Sequence, residues 1–326
     1  MRIHVQSQPG PANFPITPEQ WAAASARAPD VSAGHDVTFG DTPEAFAQAM
    51  PHAEALVAQS GAVKALFPAP APRLRMIFCT SAGLDRLAPF DWLPDGVALL
   101  NNRGTHGAKA GEYGIMALLM LASGMPGFAS AQRDGRWAPR HGSVLAGRSV
   151  VVVGLGTLGG AVAGQAARFG MDVTGVRTRA EPHPDCARVV AFTELDAVLP
   201  GAEFLVLAPP LTDLTRNLLD RRRIALLPPG AGVVNIGRGA LLDQDALCDA
   251  LDAGALGGAV LDVFVPEPVP PGHRLWATPN LVMTPHVSAD DPATYNPLSL
   301  DIFFANLRAQ RDGAPLPNRF DTVRGY

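Results

Sequence analysis

Ser149 to Gly160 read S-V-V-V-V-G-L-G-T-L-G-G, and this stretch decides the fold. The four valines Val150 to Val153 are an unbroken β-branched run, the signature of a strand buried on both faces, as in a parallel sheet. Gly154, Gly156 and Gly159 follow at G-x-G-x-x-G spacing. Ala161 to Phe169 is alanine-rich and reads as a helix. Strand, glycine turn and helix in that order make a dinucleotide-binding βα unit. The first glycine allows the tight turn, the second lets backbone approach a pyrophosphate, and the third lets helix pack on strand. The helix N-terminus offers free N–H groups and a positive dipole end, which suit phosphate.

The wider chain agrees with an α/β reading. It has 326 residues, enough for two domains of ordinary size. With 47% hydrophobic and 17% charged residues, it can build large cores and is unlike a disordered chain. A net charge of -4 without a long basic run argues against a nucleic-acid partner. Cys79, Cys186 and Cys248 are far apart and lack C-x-x-C spacing, which reads as reduced thiols in a cytoplasmic protein without a structural metal. The N-terminus enters a strand directly and lacks a signal-peptide core. Ile115 to Leu121, the most apolar helical stretch, is too short to span a bilayer, so no membrane partner is expected.

Strands are expected at Ile3 to Gln6, Val37 to Phe39, Ala55 to Ala58, Leu74 to Cys79 and Val97 to Leu100. A Pro-rich loop, Pro9 to Pro15, precedes a helix started by Thr17-Pro18 with Gln20 three residues after the threonine. Thr42-Pro43 starts another. Gly104 to Gly111 reads as a break and Glu112 to Ser123 as an apolar helix belonging to the core or to a subunit interface. Arg133 to Arg148 reads as polar and turn-rich. Further strands are expected at Asp172 to Val176, Phe204 to Leu207, Gly232 to Ile236, Ala259 to Val263 and Leu281 to Thr284, and a last helix at Pro297 to Gln310. The whole is an α/β chain of doubly wound parallel sheets.

An acidic residue about twenty positions past the glycines normally binds the ribose 2′-hydroxyl of NAD. Here the second strand runs into Arg177-Thr178-Arg179. Two guanidinium groups and a hydroxyl suit a 2′-phosphate, so NADP(H) is the expected cofactor, with NAD(H) as the alternative. Glu181 is a displaced acid of lesser weight. Three charged or titratable residues then stand at the ends of later strands: Arg238 in V-V-N-I-G-R-G-A-L-L, Glu267 in L-D-V-F-V-P-E-P, and His286 in V-M-T-P-H. Ligands bind at the carboxyl ends of such strands, so the three are candidates for one site.

On these residues the chain resembles the D-isomer-specific 2-hydroxyacid dehydrogenase family. G-L-G-T-L-G, A-P-P-L-T-D-L-T (Ala208 onward), N-I-G-R-G-A-L-L-D, L-D-V-F-V-P-E-P and T-P-H occur in matching order and spacing. The flanks agree through T-S-A-G-L-D around Ser81 and a closing N-x-x-x-x-x-x-G from Asn306. The resemblance implies a discontinuous substrate domain of residues 1–103 and 288–326, and an inserted dinucleotide-binding domain of residues 104–287. It places the active site in the cleft between them, closed by a hinge. It implies that His286 is the general acid/base, Glu267 its partner, and Arg238 the group that holds the substrate carboxylate. It puts backbone N–H groups of Ala82 and Gly83 on that carboxylate, those of Leu158 and Gly159 on the pyrophosphate, Asp262 against the nicotinamide carboxamide, and Ala208, Pro209, Pro210 and Ile236 around the cofactor. A homodimer is implied too.

Departures from the family pattern are few. Gly111-Glu112 replaces Ala-Glu, Glu267 argues against formate oxidation, and the C-terminal regulatory domain of many phosphoglycerate-oxidising relatives is not expected. The arginines on the cofactor loop resemble the NADPH-preferring glyoxylate and hydroxypyruvate reductases. The expected reaction is therefore NADPH-dependent reduction of small 2-keto acids to D-2-hydroxy acids. Bulkier or aromatic 2-hydroxy acids, or a dinucleotide-sensing role without turnover, are the alternatives.

Overall fold

The computed structural model of the chain describes residues 1–8 and 14–325. Part of the expected loop Pro9 to Pro15 lies outside the described residues. The chain divides into two compact units, Met1–Thr105 with Asp291–Tyr326, and His106–Asp290. The divisions fall at 105/106 and 290/291, whereas the sequence reading puts them at 103/104 and 287/288. The local reason is His106, whose ring is held by Ala289 and Asp290 within the second unit.

The first unit is a five-stranded parallel sheet. Its strands are β1 (Arg2–Gln6), β2 (Asp36–Gly40), β3 (Ala55–Ala58), β4 (Met76–Cys79) and β5 (Ala98–Leu100), in the order β2-β1-β3-β4-β5. β3 and β4 are buried along their whole length. One core cluster joins Ile3, Val5, Val57, Met76 and Phe78 to Trp21 and to Phe303, Phe304 and Leu307 of the helix Tyr295–Arg311. The helix Pro18–Arg27 starts with a full capping box: Thr17 Oγ1 accepts from the Gln20 N–H and Gln20 Oε1 accepts from the Thr17 N–H.

The second unit is a seven-stranded parallel sheet. Its strands are β6 (Ser149–Val153), β7 (Asp172–Arg177), β8 (Arg188–Ala191), β9 (Phe204–Leu207), β10 (Ala231–Asn235), β11 (Leu256–Leu261) and β12 (Leu281–Met283), in the order β12-β11-β10-β9-β6-β7-β8. The connection reverses between β6 and β9, which are neighbours. That reversal is the switch point where α/β sheets hold dinucleotides.

Two elements go beyond the sequence reading and one boundary moves. β8 (R-V-V-A) is a strand the sequence reading passes over, since it is only four residues long, opens on an arginine and lies at the sheet edge. Met125–Arg133 is helical, its entry marked by Gly124 in the left-handed region (φ 74°) and by Pro126. The long helix is Gly107–Ala122, so it begins inside the expected break. Its glycines are there for close packing and not for a turn. A Cβ on Gly114 would lie 2.4 Å from Val162 Cγ2, and one on Gly111 3.2 Å from the Ala161 carbonyl oxygen. Both Val162 and Ala161 belong to the helix Thr157–Arg168.

Candidate functional site

The turn after β6 shows what each glycine of the motif is for. Gly154 has φ 88°, and a Cβ there would lie 2.6 Å from Pro209 Cα, so the turns after β6 and β9 touch at the switch point. A Cβ on Gly159 would lie 1.9 Å from the Gly154 carbonyl oxygen, so only glycine lets the helix Thr157–Arg168 sit this close to the turn. Gly156 is different. It is exposed, its φ is an ordinary -78°, and a Cβ there would meet nothing within 4 Å. The chain's own packing does not require glycine at 156. A group approaching the backbone from outside does, and a pyrophosphate at the helix N-terminus fits that requirement. The residues present therefore fit a dinucleotide.

Leu158 is half-buried and begins the same helix, and Ala208 follows β9 beside it in one apolar cluster. Pro209 is buried, Pro210 exposed, and the Pro210 carbonyl accepts from Thr215 Oγ1 at 2.7 Å. Arg177 ends β7, with Thr178 and Arg179 exposed beyond it. Arg177 pairs with Glu181 at 3.5 Å, so Glu181 holds an arginine of the loop. Arg179 makes no ion pair among the described residues, which leaves a guanidinium in solvent beside the end of β7.

Arg238, Glu267 and His286 follow β10, β11 and β12, three adjacent strands. Arg238 is placed by Asn235, the fully buried last residue of β10. Asn235 Nδ2 donates to the Arg238 carbonyl (2.9 Å), and its Oδ1 accepts from the Gly237 N–H (3.1 Å). Ile236 is buried between them. Gly239 seats this loop on the next one, since a Cβ there would lie 2.2 Å from the Phe264 carbonyl carbon. Glu267 is held in turn, because its Oε1 accepts from the Phe264 N–H at 2.8 Å.

The other carboxylate oxygen of Glu267, Oε2, lies 3.0 Å from His286 Nδ1. Both carboxylate oxygens are acceptors, so Nδ1 carries the hydrogen. Nε2 is then the nitrogen left to exchange a proton, and the His286 side chain is 43% exposed while that of Glu267 is 17% exposed. A half-exposed imidazole with one nitrogen tied to a shielded carboxylate leaves Nε2 as the atom that can meet a ligand.

His286 has φ 57°, a left-handed backbone unusual for a residue with a side chain. Asp262, fully buried at the end of β11, holds it there. Asp262 Oδ1 accepts from Thr284 Oγ1 (2.6 Å) and the Val287 N–H (2.9 Å), and Oδ2 accepts from the Ser288 N–H (2.9 Å). The His286 N–H donates to the Asp262 carbonyl at 2.9 Å. A left-handed residue costs about 1–3 kcal/mol. Hydrogen bonds to a charged group contribute about 1.5–3 kcal/mol each, so three of them offset that cost. Tyr113 extends the network by donating to Thr284 Oγ1 at 2.6 Å, and burial pushes its phenol up to about 12. The sequence reading gives Asp262 to the nicotinamide carboxamide; the structure shows its carboxylate anchoring the His286 loop.

Asn235, Thr284 and Tyr113 are positioning residues that the sequence reading does not single out. Asn235 stands within the quoted N-I-G-R, but nothing in the pattern says that its side chain folds back on the loop. Ala82 and Gly83 lie in the other unit, on the segment after β4. Asn101 Nδ2 donates to the Ala82 carbonyl (2.9 Å), the Asn102 N–H donates to the Ser81 carbonyl (3.1 Å), and the hydroxyls of Ser60 and Ser81 are 2.9 Å apart. Among the described residues, the N–H groups of Ala82 and Gly83 make no hydrogen bond to the chain.

Comparison with known proteins gives the site its relatives. The family model "D-isomer specific 2-hydroxyacid dehydrogenase, NAD binding domain" matches residues 115–288. Glyoxylate/hydroxypyruvate reductase A of Serratia proteamaculans is 31% identical over 261 residues, covering 78% of this chain and 82% of the relative. Among solved structures, a D-isomer specific 2-hydroxyacid dehydrogenase from Xanthobacter autotrophicus Py2 in complex with NADPH and MES superposes with a TM-score of 0.80 at 29% identity, over 99% of each chain. The NADPH-dependent glyoxylate/hydroxypyruvate reductase of Sinorhizobium meliloti, in complex with NADP and sulfate, superposes with a TM-score of 0.82 at 26% identity over the full length of both.

Proposed function

Because the chain belongs to the D-isomer specific 2-hydroxyacid dehydrogenase family, and is thereby an NAD(P)-dependent oxidoreductase, we propose that it reduces small 2-keto acids with NADPH. Glyoxylate and hydroxypyruvate are the leading substrates, and hydroxypyruvate gives the D-hydroxy acid. The observation that carries the reading is the His286–Glu267 pair at 3.0 Å, one strand away from Arg238.

When bound, the nicotinamide supplies a hydride, two electrons, to the keto carbon. The carbonyl oxygen then needs one proton. His286 Nε2 gives it, and the imidazole becomes neutral. Glu267 keeps Nδ1 protonated throughout, so the ring presents one exchangeable proton in a fixed direction, and its negative charge favours the imidazolium that starts the step. Arg238 holds the substrate carboxylate and draws charge toward the carbonyl oxygen, a contribution that grows as that oxygen becomes negative.

NADPH preference rests on Arg177, Thr178 and Arg179, where a 2′-phosphate would find donors and a ribose hydroxyl would find no acid other than Glu181, which holds Arg177. A homodimer is part of the reading. Met116, Leu119 and Met125 are exposed on the helices Gly107–Ala122 and Met125–Arg133, and light scattering at the mass of two chains is the expected result. Three free cysteines suit a reducing, cytoplasmic setting.

The test is steady-state NADPH oxidation with glyoxylate, hydroxypyruvate, pyruvate and phenylpyruvate, repeated with NADH. Turnover of the first two, with NADPH favoured at least tenfold in kcat/KM, is expected. Turnover confined to phenylpyruvate would replace the substrate class, and an NADH preference would overturn the role of the arginines.

A further inference from the structure

We propose that His183 is a specificity-determining residue for the cofactor: its Nε2–H is a further donor, beside Arg177, Thr178 and Arg179, to the 2′-phosphate of NADP(H). The inference deepens the reading above and rests on the NADPH preference.

His183 stands in P-H-P-D-C, residues 182–186, on the crossover that leaves β7 at Arg177 and returns as β8 at Arg188. A proline on either side restricts the backbone there. The Cys186 N–H donates to the His183 carbonyl (3.1 Å), and the Ala187 N–H donates to the Val173 carbonyl of β7 (3.0 Å). A Cβ on Gly175 of β7 would lie 3.1 Å from Cys186 Sγ, so the segment is seated on the strand. It is seated on the dinucleotide helix too. A Cβ on Gly160 would lie 3.2 Å from His183 Nε2, and one on Gly164, a turn further on, 3.3 Å from Asp185 Oδ2. The same Gly160 Cβ would lie 3.7 Å from the Leu155 carbonyl oxygen, and the Leu155 side chain fills the place of a Cβ on Gly175. The imidazole therefore sits on the flank of the helix start that faces β7.

The hydrogen bonds fix which nitrogen donates. The Asp185 N–H donates to His183 Nδ1 at 3.3 Å, so in the neutral ring Nδ1 is bare and Nε2 carries the hydrogen. Among the described residues Nε2 makes no hydrogen bond to the chain, and the side chain is 19% exposed. The Asp185 carboxylate lies 3.8 Å from Nδ1 and over Gly164, away from the helix start, so it does not compete for Nε2. A fixed ring thus presents an unused N–H between the helix start and β7. In a dinucleotide fold the ribose that bears the adenosine 2′-group lies at the end of the second strand, here β7. Arg177, Thr178 and Arg179 meet that group from the strand end, and His183, further along the same segment, meets it from the helix flank. A phosphate has several acceptor oxygens and takes all of these donors, whereas a ribose hydroxyl has a single oxygen. His183 therefore adds to the choice between the two cofactors more than to dinucleotide affinity in general.

The experiment is calorimetric titration of the intact chain with adenosine 2′,5′-bisphosphate and with adenosine 5′-monophosphate, and it needs no turnover. The readout is the ratio of the two dissociation constants. His183→Ala lowers the preference for the bisphosphate by about tenfold and leaves the monophosphate within about twofold of wild type. His183→Gln, whose amide keeps a donor at that reach, holds the preference within about threefold of wild type. An unmoved preference in folded His183→Ala overturns the inference, and so does an equal loss for both ligands, which would mark a structural role. If His183→Ala does not melt cooperatively, Gly160→Ala decides. Its methyl stands against Nε2 and lowers the preference in the same direction, and an unmoved preference there overturns the inference. A wild-type protein that does not favour the bisphosphate would sink the NADPH reading and this inference with it. A preference shared by wild type and His183→Ala would sink this inference alone.

Discussion

β1 and β6 hold the same kind of place, each inside a parallel sheet with a neighbour on either side, yet they carry different side chains. β6 is S-V-V-V-V, with nothing polar in its buried run. β1 is R-I-H-V-Q and buries His4 and Gln6. His4 Nδ1 lies 2.9 Å from Thr38 Oγ1 and Nε2 lies 3.0 Å from Gln6 Oε1, so both nitrogens are used up by the sheet. Burial lowers the His4 pKa, against the pull of those two bonds. A buried histidine in mid-strand is thus a structural group. A histidine past the end of a strand, as His286 is, has a nitrogen to spare. The place of a titratable residue along its strand separates the two roles better than its type does.

The largest expected effect breaks the two histidines apart. His286→Ala is expected to lower kcat by about 10²–10⁴-fold with little change in melting temperature. His4→Ala is expected to cost about 1–3 kcal/mol of stability, because it takes the imidazole partner from the Thr38 hydroxyl and from Gln6 Oε1. Its turnover per folded molecule stays within about twofold of wild type. The two are separated by steady-state rates and thermal melts on the same preparations. Near-normal turnover in His286→Ala would remove the mechanism. His4 also has a pH signature. Its folded pKa lies below its unfolded value of about 6.5, so the neutral ring favours folding at and above that value, and this support is lost as pH falls below it. Wild type is therefore expected to lose more stability than His4→Ala between pH 7 and 5.

The next comparison lies within the glycine turn. A Cβ on Gly159 would run into the Gly154 carbonyl, while one on Gly156 would enter open space. Gly159→Ala is expected to destabilise the protein by about 1–3 kcal/mol. Gly156→Ala is expected to melt within about 2 °C of wild type and to bind NADPH at least tenfold more weakly. Unchanged NADPH affinity in Gly156→Ala would show that no pyrophosphate approaches there.

The smallest effect lies far from any strand end. Arg308 and Arg311 hold Asp30 on the surface, with Arg308 Nη2 at 2.7 Å. The Arg308 hydrogen bond is the main reason that the Asp30 carboxyl falls to about 2. With the folded pKa depressed, the contribution is present above about 3.8 and lost as pH falls toward 2. Exposed pairs of this kind contribute little, so Asp30→Asn at pH 7 is expected to shift the melting temperature by less than about 2 °C.

What the sequence revealed follows the reach of each signal. The valine run, the glycine spacing and the order of Arg238, Glu267 and His286 are local patterns, and adjacency along the chain suffices to read them. β8 escaped because four residues opening on Arg188 are too short a run to announce an edge strand. The start of the helix Gly107–Ala122 escaped because its glycines answer to Val162 and Ala161, some fifty residues away. His106 and Asp290 are 184 positions apart, and their pairing has no trace in spacing. Asp262 stands in a readable motif, yet its hydrogen bonds go to Thr284, Val287 and Ser288, which only folding brings near.

The contact between Gly239 and Phe264 has a consequence for anyone rebuilding this protein. With no room for even a methyl group between them, the loops after β10 and β11 behave as one cast part. Lengthening either alone would pry the other from its seat and carry Arg238 or Glu267 with it. A designer who wants to reshape this site should transplant both loops together or leave both alone.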